Sequence, residues 1–139
     1  REDSLQSDFE DYRIGQITSI PNYSTDFEQK LFEIIDSSTR RNIRKAQTSG
    51  VHVSIDNSLD AMKELYAIHT ENMNSIGGKA KDWRFFDSIS KFFEPNKDYN
   101  VYVGRIDGKI VSALLLFYFN KTVEYFTPAT VSEFRSNQP

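Results

Sequence analysis

The chain has 139 residues, 38% hydrophobic and 27% charged, which fits one folded domain with a sizeable core and excludes a disordered chain. It has no cysteine, so disulfides, thiolate chemistry and cysteine-held metals are excluded, and its two histidines, His52 and His69, stand at no recognised metal-ligand spacing. The net charge of −3 is uneven: residues 1–36 hold nine acidic against three basic residues, so that segment is not where a nucleic acid or an anionic cofactor would bind.

With 11 Phe and 7 Tyr, much of the core must be built from rings. No apolar run approaches the ~20 residues of a membrane span. No leader pattern is visible, and a cytoplasmic protein is expected, although an opening at Arg1 is compatible with a leader or upstream segment cut away.

In chain order, "REDSLQSDFED" is charged and patternless, a linker or frayed end. "YRIGQITSIP" has β-prone residues and reads as a strand ending at Pro21. Thr25 and Glu28 have the spacing of a capping box, and Phe27, Leu31 and Ile34 or Ile35 form the stripe of the helix that follows. Asp36, Ser37 or Ser38 is expected to cap a second helix, "TRRNIRKAQTSG", with Gly50 just past its end.

"VHVSI" alternates as a strand does. Asn57 or Ser58 then caps a helix from Leu59 to about Met73, "NSIGGKAK" is a loop, and Asp82 caps a helix carrying Trp83, Phe86, Ile89 and Phe93 on one face. "YNVYVGRI", "KIVSALLLFYFN" and "TVEYFTP" form a meander joined by turns at Asp107-Gly108 and Asn120-Lys121. The middle strand is apolar on both faces, which calls for helices above and below it. A polar loop ends the chain, where the order of elements leads to the start of another helix.

Three stretches together carry a family resemblance: "RRNIRKAQTSGVHV" at 40–53, the Asp107-Gly108-Lys109 hairpin before an aliphatic strand, and the Arg135-to-Pro139 loop after the next strand. Over residues ~25–139 the pattern resembles the Fem-type branch of the GNAT acyltransferase superfamily. That branch holds peptidyltransferases of peptidoglycan cross-bridges and related acyltransferases of envelope polysaccharides. The resemblance implies an α/β fold with a GNAT-like mixed, mainly antiparallel sheet, flanked by helices on both faces and truncated after the fourth strand. The corresponding division is residues 1–24 as linker and possible edge strand, and 25–139 as an incomplete acyltransferase domain, inactive alone.

The resemblance also implies a donor site. In GNAT folds the loop after the fourth strand holds the cofactor pyrophosphate on backbone N–H groups. Here that loop offers Arg135, Ser136, Asn137 and Gln138, while the backbone of Thr127, Pro128 and Ala129 lies where a pantetheine arm would bond. The loop has no glycine, unlike the broad superfamily pattern. Fem-type members accommodate that form, and some use aminoacyl-tRNA. The donor expected is therefore acyl-CoA (acetyl-CoA), with aminoacyl-tRNA as the alternative, and no metal.

Glu124, on a strand beside the donor, is the candidate base for an attacking amine; strand alternation equally allows it to face solvent. Arg40, Arg41, Arg44 and Lys45 share a broad helix face with no acid between Ser37 and Gly50. They suit an anionic acceptor, such as a nucleotide-linked or lipid-linked sugar, or tRNA; otherwise they are a solvated face whose last cations complement the helix dipole. His69 and the tyrosines Tyr118 and Tyr125 read as core or boundary rings.

The function expected is an N-acyltransferase acting on an amine of a cell-envelope sugar or peptidoglycan precursor. The rival is a non-catalytic module that binds RNA or an anionic polymer through helix 38–48, and a third possibility is a degenerate acyltransferase kept as a structural partner. An exposed sheet edge after Thr122–Thr127 makes self-association an expectation.

Overall fold

The computed structural model describes residues 15–139. The chain falls into two compact units that divide between Asp36 and Ser37.

The first unit contains helix α1 (Phe27–Ile34). The strand expected over residues 12–21 does not form in its described part, residues 15–21, which have no regular structure. β-prone residues without a partner strand have nothing to pair with, and Ile17 is 93% exposed. Tyr12 to Ile14, and the linker expected at 1–11, lie outside the described residues. The Thr25–Glu28 capping box is also replaced. Asp26 is the cap residue, and its carboxylate is taken by Ser24 Oγ at 2.5 Å and Lys30 Nζ at 2.9 Å instead of by helix N–H groups.

The second unit begins with helix α2 (Ser37–Thr48). Gly50 closes it at φ 77°, a left-handed conformation that suits a residue without Cβ, and Val51 N–H returns to the Ala46 carbonyl at 3.1 Å. Strand β1 (His52–Ile55) follows, then helix α3 (Leu59–Ser75), whose cap is Ser58: its Oγ accepts Ala61 N–H at 3.1 Å. Asn57 serves elsewhere, in the sheet. Asp82 caps helix α4 (Trp83–Phe92) by accepting Phe85 N–H at 3.2 Å.

Strands β2 (Tyr99–Ile106), β3 (Lys109–Phe119) and β4 (Thr122–Thr130) complete a sheet of order β1-β2-β3-β4, antiparallel at every pair. Both tight turns have two central residues at positive φ, Asp107 and Gly108 at 49° and 78°, Asn120 and Lys121 at 45° and 63°. That geometry matches the twist of the flanking strands. Gly104 is fixed by contact: a Cβ there would lie 2.5 Å from Ser112 Oγ on the neighbouring strand.

Tyr99, Val101 and Val103 of β2, with Ala113 and Leu115 of β3, form the core face. Met62 and Leu65 of α3 and Phe86 and Ile89 of α4 bury against them. A helix flanks the other face too, as expected, at one end of it. Here α2 borders only the β1 end, and Val53, Ile55, Val123 and Tyr125 stay exposed among the described residues. Leu114 and Leu116, beyond the reach of α2, are half-buried beside their cross-strand neighbours Tyr102, Pro128 and Tyr125.

Two buried polar groups give measurable consequences. Thr127 is 2% exposed, and its hydroxyl has no hydrogen-bond partner among the described residues. Thr127→Val keeps the shape and removes that unpaired group, so it should raise the unfolding free energy by about 1 kcal/mol. Denaturant titration checks this; a loss of stability would mean the hydroxyl is satisfied.

His69 is buried against Phe86, with Nε2 accepting Lys81 N–H at 3.4 Å. Burial first, and then the Lys81 charge, lower its imidazole below the ordinary value. The unfolded chain therefore binds the proton more readily. The His69 contribution is complete above the unfolded value of ~6.5 and is lost as pH falls through the lower folded value. Unfolding midpoints should drop as the pH is lowered from above the ordinary imidazole value through the lower folded one, and His69→Gln should flatten that slope.

Candidate functional site

The site is built on the outer edge of β4, the last strand of the sheet. Val131 N–H donates to the carbonyl of Val111, directly opposite in the β3–β4 register, at 2.9 Å. Antiparallel pairs alternate between those that exchange bonds and those that do not. Ala129↔Ala113 and Thr127↔Leu115 therefore bond inward, and Pro128 and Thr130 turn their peptide groups outward. This explains why β4 continues through Pro128, where the sequence suggested an end: the missing N–H falls on the unpaired edge.

The outward groups of Thr130 are already satisfied. Asn72, on α3, donates from Nδ2 to the Thr130 carbonyl at 2.8 Å and accepts its N–H at 3.0 Å. A side-chain amide thus stands in for a neighbouring strand, and the Pro128 carbonyl is left as the outward group between Thr127 and Thr130. The same two features blunt this end of the edge against pairing with another chain.

Nearer the start of the strand, Leu115 pairs with Thr127 but Leu116 with Tyr125, so Phe126 is an extra residue that bulges β4. Its ring turns inward onto Phe117, with centroids 5.2 Å apart, and stacks on Phe85 at 5.7 Å.

Past β4, the expected open loop is a short 3-10 helix, Ser132–Asn137, ended by Gln138 at φ 59°. Gln138 Nε2 folds back onto the Arg135 carbonyl at 3.3 Å, and Ser136 Oγ donates to Asn137 Oδ1 at 3.3 Å. Ala129, Arg135 and Gln138 line one open cleft of about 470 Å³ with Asn72, Pro128 and Thr130. Arg135 is exposed and has no ion pair among the described residues. Thr127 does not line this cleft, and its side chain is buried.

Glu124 is at the opposite end of β4, across from Phe117. Ala129 is five positions further along, about 17 Å on an extended strand. It is exposed, it borders a second cleft walled by Phe92, Phe93 and Phe126, and its carboxylate has no ion-pair partner among the described residues.

The basic helix is a separate surface. Thr39, Asn42, Ile43 and Ala46 of α2 turn toward Val51, Val53, Gln138 and Pro139. Arg41, Arg44 and Lys45 are exposed away from that cleft, and Arg40 is half-buried. The structure thus brings Ala129, Arg135 and Gln138 together, and it brings neither Glu124 nor the four α2 cations to them.

Sequence reasoning missed Asn72 and gave Asn57 only as a candidate helix cap. Asn57 accepts Val101 N–H at 2.9 Å and donates to Asn100 Oδ1 at 2.8 Å, tying the residues after β1 to β2. Neither asparagine stands in a motif, and both act across large sequence separations. The one available signal was Pro128, whose presence within a strand implies an outward-facing edge.

The model of the acetyltransferase (GNAT) domain family matches residues 36–139, most of the chain, and the chain belongs to that family. No curated protein matches it. Membership makes this an N-acyltransferase domain, a class that typically uses acyl-CoA. Among the described residues there is no group of three or more His, Cys, Asp or Glu able to hold a metal, and no helix long and apolar enough to cross a membrane.

Proposed function

We propose that this domain serves the transfer of an acyl group from acyl-CoA to an amine of a cell-envelope sugar or peptidoglycan precursor, as the Fem-type branch does, and that the 139 residues are inactive on their own. The observation that carries the reading is the cleft at the end of β4, which joins the outward Pro128 carbonyl to the exposed guanidinium of Arg135. The donor's phosphates meet Arg135, with Ser136, Asn137 and Gln138 beside it. The pantetheine arm runs along the edge past the Pro128 carbonyl, which Thr127 and Ala129 hold in place through their bonds to β3. This geometry directs the thioester toward the Phe126 bulge and Glu124.

In the reaction the amine nitrogen attacks the thioester carbonyl, the C–N bond forms and the C–S bond breaks. Glu124 takes the proton that the nitrogen loses and gives it up through solvent to the departing thiolate, which leaves as the free thiol. Positioning supplies most of the rate, since a single exposed carboxylate is a weak base. An acyl-CoA donor suits action in the cytoplasm. The cations of α2 serve an anionic part of the acceptor remote from its amine, and a second reading gives Arg41, Arg44 and Lys45 an RNA or other polyanion instead, since they too have no ion pair among the described residues.

Calorimetric titration of acetyl-CoA tests the donor. Saturable binding should weaken about tenfold or more in Arg135→Ala, the loss of one charge-assisted phosphate contact. It should be unchanged when Arg40, Arg41, Arg44 and Lys45 are all alanine. If acetyl-CoA gives no heat while RNA binds the unmodified chain and loses that binding in the four-alanine variant, the polyanion reading replaces this one.

A further inference from the structure

The second cleft has a composition of its own. About 500 Å³ of open space lies where the end of α4 meets the β3–β4 hairpin, walled by Phe92, Phe93, Phe117, Phe119 and Phe126 with Glu124 at its rim. Phe92 and Phe119 are 81% and 84% exposed, so two large rings face water uncovered by any other described residue. Rings so exposed cost hydrophobic free energy that a ligand would recover.

The carboxylates decide what kind of ligand. Asp98, also at this cleft, has Oδ2 engaged by Glu94 N–H at 2.8 Å. Glu124 has no ion-pair partner among the described residues. An apolar ligand alone would leave Glu124 uncompensated beside it, and an anion would be repelled.

Phenylalanine faces attract cations through the ring quadrupole. This ring cluster already does so: Lys81 Nζ sits 5.1 Å from the centroid of Phe126 and 5.8 Å from that of Phe85. A second ammonium, placed between Glu124 and the exposed rings, would meet the same attraction plus a full negative charge.

We infer that this cleft is the acceptor site and that it takes a primary amine carried on an uncharged hydrocarbon arm, the arm lying on Phe92 and Phe119 and the ammonium at Glu124. The inference rests on the acyltransferase reading for the word acceptor, and the binding itself is independent of it. It narrows the acceptor and sets aside the sugar amine of the wider reading: an amine on a polar ring leaves the phenylalanine faces uncovered, whereas an alkylamine covers them. The donor cleft lies at the other end of β4, so the two substrates approach along one strand from opposite ends.

The test uses n-hexylamine, n-hexanol and glucosamine as probes, titrated into the labelled chain and followed by NMR in the absence of any acyl donor. Hexylamine should shift the amides of Phe92, Phe119 and Glu124 and bind about fivefold to tenfold more tightly than hexanol. Glu124→Gln should remove that preference and leave hexanol binding as it was. Phe92→Ala and Phe119→Ala, at exposed positions that folding does not depend on, should weaken both probes.

Equal binding of hexylamine and hexanol, an unchanged preference in Glu124→Gln, or tighter binding of glucosamine would each overturn the inference. Because no donor is present, these outcomes are separate from a failure of acetyl-CoA to bind, which would overturn the acyltransfer reading and leave the amine site standing.

Discussion

Phe86→Ala is expected to lower the unfolding free energy by about 3–5 kcal/mol, more than any other single substitution named for this domain. Phe86 is 0% exposed, so truncation removes all of its buried area and opens a cavity that its neighbours cannot fill without moving. Those neighbours are mostly rings. Tyr66, His69 and Phe85 stand with centroids 5.6, 5.8 and 5.6 Å from it. Phe85 in turn stacks on Phe126, and Phe126 meets Phe117.

The chain of contacts gives the substitution a second readout. Phe126 and Phe117 wall the cleft beside Glu124, so loss of the Phe86 support should broaden or shift the NMR signals of that cleft even where the domain remains folded. Phe86→Leu, which fills most of the volume, should cost less and leave those signals nearer their original positions. Equal costs for alanine and leucine would show that Phe86 is not packed as described.

Asn72→Ala comes next, with an expected loss of about 2–3 kcal/mol. The side chain makes two hydrogen bonds to the Thr130 backbone across 58 residues of sequence. Removing it leaves both a donor and an acceptor without a protein partner at the end of β4. Thr130 is half-buried, so water can restore only part of what is lost. Arg135 follows within a turn, and acetyl-CoA affinity should fall along with stability. Asn72→Asp separates the two bonds, because a carboxylate accepts the Thr130 N–H but cannot donate to its carbonyl. It should fall between the original and alanine. A neutral Asn72→Ala would mean that the edge is held by other means.

The parts of this fold that the sequence made legible are those set by neighbouring residues. The Asp107-Gly108 and Asn120-Lys121 turns require positive φ at both positions, and β2, β3 and β4 followed from them in order. Asp82 and Ser58 cap the helices that their spacing implied. Residues 15–21 show the limit of the same method: their β propensity is real but has no partner strand to act on.

What stayed hidden depends on pairing across the chain. The Phe126 bulge is a property of the β3–β4 register, and nothing local to Phe126 signals it. Asn72 gives no sign of its role until α3 is laid beside β4. Glu124 was visible as a candidate, but its position opposite Phe117 and beside Phe92 and Phe93 arises only from the packing of α4 against the hairpin. Arg135 and Gln138 were visible through family resemblance, whereas the 3-10 helix that carries Arg135 was not.

The central claim is that the outer edge of β4, at Pro128, is where the acyl donor lies. Backbone amide shifts of the isotopically labelled chain, followed during titration with acetyl-CoA, test it most directly. The largest changes should fall on Ala129, Thr130 and Arg135 to Gln138, with smaller ones reaching Phe126 and little at Arg40 to Lys45. Changes concentrated on α2 and absent from the end of β4 would contradict it.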